Sequence, residues 1–286
     1  MSSPFAALPP ELLLFVFSLA SHHRPTAVAL SLVSHWVHHH VEPNLYHTVS
    51  LASSRSLIAF LLALKSKPRT FAQNIVKRLS VTALGPISHI EDVLEMCTGV
   101  TSLVCGFSIP SYIHCAQRKT ALVATATCRL PIAPHEQHLI ALACRDGLDT
   151  SFISPLVTHL RIQLTPATTF DSVARLRELP CLTHLAIMYR HGLFRSAKAV
   201  REMLGPVLEE GKLRVLVIHI TGVGSEAHQK EIEEWRVHAA INMKTIRTTT
   251  HKHLGHNPPT RIIAQRATTA VLPQWEQGND IWEAIS

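Results

Sequence analysis

Residues 158–162 read THLRI, and residues 183–187 read THLAI. Both alternate polar and apolar side chains, the period-2 pattern of a β-strand with one face buried. Rougher copies lie on either side: HTVSL (47–51), KRLSV (77–81), TSLVC (101–105), CRLPI (128–132) and RVLVI (214–218). Aligning the first inward apolar residue of each puts Val49, Leu79, Leu103, Leu130, Leu160, Leu185 and Leu216 in equivalent places. Successive subtraction gives intervals of 30, 24, 27, 30, 25 and 31 residues, room for one strand and one helix per unit.

The intervening segments carry helical patterning. SLIAFLLALKS (56–66) runs up to Pro68, ISHIEDVLEMC (87–97) stops before Gly99, and EQHLIALACRDG (136–147) closes on Gly147. SVARLREL (172–179), SAKAVREMLGPVLEEG (196–211) and EAHQKEIEEWRVHAA (226–240) follow. Strands alternating with helices predict an α/β chain with a parallel sheet. The ragged phase looks like an irregular leucine-rich-repeat solenoid over residues 51–245, strands on one side and helices on the other. An ordinary α/β domain with parallel strands would read much alike, and no asparagine ladder follows the strands. Pro131 inside CRLPI marks that copy as weak or as an edge. Residues 246–286 read as a C-terminal loop and docking tail. TTTHKHLGHNPPT (248–260) is the loop. LPQWEQGNDIWEAI (272–285) carries two tryptophans and is expected to fold back, onto the last repeat.

Composition narrows the function classes. The chain has 286 residues, of which 47% are hydrophobic and only 16% charged. That is no disordered chain, and the thin charge points to an apolar surface that a partner covers. The formal charge of +7 invites a nucleic-acid reading, but Lys and Arg are scattered and not interleaved with aromatics, so no nucleic acid is expected. No apolar run reaches the roughly 20 residues that span a bilayer, so no membrane is expected either. The six cysteines, at 97, 105, 115, 128, 144 and 181, form no C-x-x-C pair, and five sit in apolar segments. This usage reads as reduced and intracellular, in cytoplasm or nucleus.

The N-terminal 50 residues have a different texture. LPPELLLFVFSLA (8–20) is apolar from Leu12 to Ala20 except for Ser18. No Lys or Arg precedes it, and Pro9, Pro10 and Glu11 break the run, which argues against a cleaved leader; a secreted repeat protein remains an alternative. Proline in the first turn and a glutamate near the positive end of the dipole fit a helix start. Leu12, Phe15, Val16 and Leu19 share one face, and Leu13, Phe17 and Ala20 another, so the helix must be covered on nearly all sides. Two further short helices are expected: Thr26–Ser34, then Ser34–Pro43 with Ser34 as N-cap and Pro43 as stop. They can cover one face of the first.

Leu8-Pro9-Pro10-Glu11-Leu12-Leu13, Val16-Phe17, Leu32-Val33-Ser34-His35-Trp36 and Pro43-Asn44-Leu45-Tyr46 together resemble an F-box, over residues 6–50. An F-box followed by ragged repeats, with a closing segment like NDIWEAI, is similar to a set of fungal F-box proteins. The resemblance implies that the chain binds the S-phase-kinase-associated adaptor protein and, through it, a cullin. Leu8, Pro9, Leu12 and Val16 would face the adaptor, with Leu32, Val33 and Trp36 shaping the same small domain. The chain would then be a substrate receptor of an SCF-type ubiquitin ligase, with an unknown protein target on its repeats. A scaffold outside any ligase is the alternative.

Catalytic and metal patterns are thin. HEQH (135–138) is not H-E-x-x-H, GVGSE (222–226) lacks the third glycine of a nucleotide loop, and GPISH (85–89) lacks the second glycine of a nucleophile elbow. The twenty histidines include His251, His253 and His256, with no cysteine or carboxylate at ligand spacing. No enzyme activity, metal or cofactor is expected.

Overall fold

The computed structural model describes residues 8–107, 132–145, 147–192, 197–222, 226, 229–238, 260–266, 275, 276 and 282. Three helices come first: α1 (Pro10–Ala20), α2 (Arg24–Ser31) and α3 (His35–His47). There follow β1 (Thr48–Leu51), α4 (Ser54–Lys65), α5 (Arg69–Ile75), β2 (Arg78–Val81), α6 (Ile87–Met96), β3 (Ser102–Cys105) and β4 (Glu136–Leu139). The remainder is β5 (His159–Gln163), α7 (Phe170–Ala174), β6 (His184–Arg190), α8 (Ala197–Glu209), β7 (Val215–Thr221), α9 (229–238) and β8 (Arg261–Arg266).

The eight strands form one all-parallel sheet whose order is the order of the chain, β1 to β8. Strand order nowhere reverses, as it must in a doubly wound sheet. Alternate side chains therefore go to two different surroundings. Val49, Leu79, Leu103, Leu160, Leu185 and Leu216 are in register and share one buried core with α4, α6, α8 and α9. The residues between them point to the other face, called here the open face.

Six of the seven aligned positions thus fall on one line across the sheet. The fourth does not. Leu130 lies outside the described residues, as does all of CRLPI except buried Ile132. The strand beside β3 is Glu136–Leu139, within the segment read as a helix, and Gln137 takes the equivalent place between Leu103 and Leu160. A fully buried glutamine there is viable because its amide is satisfied twice. Nε2 donates to the Phe152 carbonyl at 3.0 Å, and Oε1 accepts from the Ser154 amide at 3.1 Å. Only a short 3-10 turn, Ala141–Cys144, remains of the predicted helix. A second difference is β8, inside the segment read as loop and tail. Ile262 and Ala264 pack against the main core, and the strand continues the ladder beyond β7.

The small helical unit follows the expected order with shifted ends. Ser34 is the N-cap of α3, its hydroxyl accepting from Val37 N–H at 3.2 Å. Pro43 does not stop the helix, which runs to His47. Tyr46, beyond the proline, stacks on Phe60 of α4 and meets Phe71 of α5 edge-on at 5.3 Å, so tertiary packing offsets the lost hydrogen bond. α2 starts two residues earlier than expected, with Pro25 in its first turn, and ends at Ser31. Buried Glu42 of α3 pairs with Lys67 and with His38 at 3.3 Å. Burial alone would raise its pKa, but Lys67 and His38 hold it below the usual carboxylate range. These contacts fix α3, and through it the whole unit, on the α4–α5 corner.

Candidate partner-binding surfaces

α1 divides as its periodicity requires. Leu13, Leu14 and Phe17 are half-buried; Phe17 meets the Trp36 ring edge-on at 6.2 Å, and the Leu14 carbonyl lies 3.0 Å from His40 Nε2. The opposite face is bare. Leu12 is 50% exposed, Phe15 61%, Val16 44% and Leu19 56%. The α2–α3 turn extends the patch, with Leu32 82% exposed, Val33 67% and Trp36 50%, and Leu8 and Pro9 are exposed at its edge. Every residue assigned by sequence to the adaptor face is therefore solvent-accessible. α2 ends at Ser31, and this puts Leu32 and Val33 in a turn, where no helix of the unit covers them. A soluble chain rarely leaves so many large apolar side chains wet on one small unit.

The second surface is the open face of the sheet. Its first row, Arg78, Ser102, Glu136, His159 and His184, and its second, Ser80, Val104, His138, Arg161, Ala186 and Val217, are far more polar than the core rows. Two tail residues lie on it. Trp275 donates its indole N–H to Ser102 Oγ at 2.9 Å, while Arg78 donates to the Trp275 carbonyl at 2.9 Å and lies over its ring at 4.9 Å. Trp282 donates to Glu136 at 3.2 Å, flanks the stacked rings of His159 and His184, and packs on Ala186, Val215, Val217 and Ile263. The tail was expected on the last repeat. Its tryptophans instead span the open face, one at β2–β3 and one from β4 to β8. Sequence reasoning singled out the tryptophans but not their polar seats, because Ser, His and Arg at outward strand positions read as ordinary solvated residues.

Electrostatics on this face is dominated by burial. Neutral His138 donates its Nε2–H to Glu136 at 2.7 Å. Burial would raise the Glu136 pKa, but that bond holds the carboxyl well below its usual range, while burial lowers His138. Among the described residues, His138 Nδ1, Ser80 Oγ and Arg78 Nε have no hydrogen-bond partner. Arg161 donates to His219 Nδ1 at 3.0 Å, which puts the His219 proton on Nε2; the Gln265 amide lies 2.8 Å from Nε2 and must turn its oxygen there to accept it.

Burial also lowers His159, His184 and His219, the last two to about 4, with help from His159 and Arg214 at His184 and from Arg161 at His219. The folded values lie below the unfolded value of 6.5, so the unfolded chain binds more protons in between. The stability carried by these neutral rings is complete above pH 6.5 and is lost as the pH falls toward 4. His219 alone accounts for at most about 3 kcal/mol. Urea unfolding is expected to show the loss between neutral pH and about pH 5, and His219→Gln to flatten it. An unchanged pH slope in that variant would remove His219 from the account.

The HEQH run is the edge and body of β4. Among the described residues, no three His, Cys, Asp or Glu side chains converge as metal ligands; His251, His253 and His256 lie outside them. Cys97 and Cys144 are buried thiols pushed up to about 12 and about 11 by desolvation, and Cys105 higher still, the behaviour of packing groups rather than nucleophiles. No described helix is long and apolar enough to cross a membrane.

These features define an α/β chain with a single chain-ordered parallel sheet and an appended three-helix unit with a bare apolar face. Comparison with protein-family models finds no match, and neither does comparison with curated proteins.

Proposed function

We propose that the chain is a substrate-receptor subunit of an SCF-type cullin-RING ubiquitin ligase, its first 50 residues acting as an F-box and its sheet domain as a leucine-rich-repeat-like receptor for a protein target. The observation that carries the reading is the bare face formed by Leu8, Leu12, Val16, Leu32, Val33 and Trp36. Leu8, Leu12 and Val16 are positions that the resemblance turns toward the adaptor, and Leu32, Val33 and Trp36, which it gives to shaping the same small domain, extend that face; their exposure is what a surface covered by another protein requires. The chain-ordered sheet supports the repeat reading, because stacking one strand-and-helix unit on the next generates that order.

In this reading the chain supplies position rather than chemistry. The adaptor links it to cullin and RING subunits, and holding the target nearby makes ubiquitin transfer effectively intramolecular. The target reaches the receptor from the cytoplasm or nucleus. Co-expression of the full chain with the adaptor is expected to give a complex that co-elutes in size-exclusion chromatography and captures cullin. If the full chain elutes alone with adaptor present in excess, the reading fails; an adaptor complex that excludes cullin would mark a scaffold outside the ligase.

A further inference from the structure

A cavity of about 370 Å³ opens where the helical unit, the first two strands and the tail meet. Its walls carry two arginines and two histidines against one carboxylate. Arg24 and His22 come from the α1–α2 junction, His47 from the end of α3, Arg78 from the start of β2. Ser21, Asn44 and Thr48 add polar atoms, and Glu276 of the tail, an exposed residue, stands at the rim.

Among the described residues the wall has hydrogen-bond donors to spare. Two carbonyls of the wall are used: that of His47 takes the Lys77 amide at 3.1 Å, and that of Thr48 takes Arg24 at 3.2 Å. Ser21 Oγ accepts from Asn44 and donates to the Ser18 carbonyl. Among the described residues the guanidinium of Arg24 makes that single bond. Arg78 lines the cavity and, among the described residues, spends one terminal N–H on the Trp275 carbonyl, which leaves further terminal N–H groups of the guanidinium. Neither arginine has a carboxylate within ion-pair distance among the described residues; the nearest acids in play are Glu136, whose field reaches Arg78, and Glu276. The first turn of α2 lines the cavity with no side chain capping it, which adds the positive end of a helix dipole. His47 registers the field: after desolvation, Arg78, Lys77 and His22 disfavour its proton.

We infer that this cavity binds a phosphate group, held by Arg24 and Arg78 with His22 and Asn44 at its sides, and that Glu276 partly occupies its field when it is empty. Two guanidiniums from different elements suit a tetrahedral dianion, which can accept from several forks at once. The volume admits a phosphoryl group together with the side chain that carries it. The source is a phosphorylated side chain of a bound protein or free inorganic phosphate. The inference does not rest on the ligase reading, since none of these residues belongs to the bare apolar face.

Equilibrium dialysis of the full chain against radiolabelled inorganic phosphate, and against a blocked phosphoserine (N-acetyl, N′-methylamide), tests it. Saturable one-to-one binding of at least one probe is expected. Arg24→Gln should weaken it about tenfold, the scale of one lost charge-assisted bond. Glu276→Gln should tighten it by removing a competing negative charge. Arg78→Gln should also weaken it, but this change unhooks Trp275, so Arg24→Gln and Glu276→Gln carry the test, each checked for an unchanged melting curve. Phosphoserine bound at least as tightly as inorganic phosphate assigns a presented side chain; inorganic phosphate bound better assigns the free anion. Either upholds the site. No saturable uptake of either probe, or binding unchanged in Arg24→Gln, overturns it.

Discussion

Glutamate in place of Leu12 or Val16 is expected to abolish the proposed capture of the adaptor and to leave the melting temperature of the isolated chain almost unchanged. Both side chains are wet in the free chain, so a charge there meets water and shifts stability by no more than about 0.5 kcal/mol. Covered by a partner, the same carboxylate loses its hydration without gaining a counter-charge, which costs several kcal/mol and therefore at least about a hundredfold in affinity. Leu13→Glu and Phe17→Glu give the opposite phenotype. Leu13 and Phe17 are half-buried toward α2 and α3, and Phe17 touches Trp36, so a carboxylate there should unfold the helical unit and lose binding only as a consequence. A pull-down paired with thermal melting of the four single variants separates the two faces. If all four lose stability together, α1 is an ordinary core helix and the adaptor reading falls.

The second large effect concerns the core line of the sheet. Leu160, Leu185 and Leu216 are 0% exposed and lie in register on adjacent strands, packed under the helices. Each, replaced by alanine, should destabilise the chain by about 2–5 kcal/mol, the removed methyl groups plus the cavity they leave. All three have a paired strand on both sides, so none of the sites can collapse freely around the lost methyl groups. Urea unfolding measures it directly. Effects near zero at all three would mean that the apolar line does not form the core.

How far these features could be read in advance depended on what each residue had to say alone. The strands at Leu79, Leu103, Leu160, Leu185 and Leu216 were legible because a period-2 apolar pattern has one inexpensive solution, a strand with a buried face. β4 was hidden because Gln137 stands where the other strands carry an aliphatic residue, and the compensation comes from the backbone at Phe152 and Ser154, fifteen and seventeen residues away. Nothing local to EQHL announces that. β8 was hidden because a six-residue strand between a Pro-Pro loop and a polar tail has no repeat partner at the expected spacing; only its pairing with β7 gives Ile262 a core to join. At the candidate surfaces the two faces of α1 followed from helical geometry alone. The cavity did not, because His22, Arg24, His47 and Arg78 are spread over 57 positions and converge only when the helical unit packs against the start of the sheet.

The hydrogen bond from Arg78 to the Trp275 carbonyl joins residues 197 positions apart. In a sheet whose strands pair only with their chain neighbours, unfolding can begin at either end and travel inward, since no unit depends directly on a distant one. The tail changes that. Trp275 is seated at the second and third strands, and Trp282 on the fourth through the eighth. To fray the first strands the chain must release a segment that is also held at the far end. Trp275 and Trp282 thus add long-range ties to a ladder of neighbour-dependent units, so that fraying the first strands also gives up the seat of Trp275.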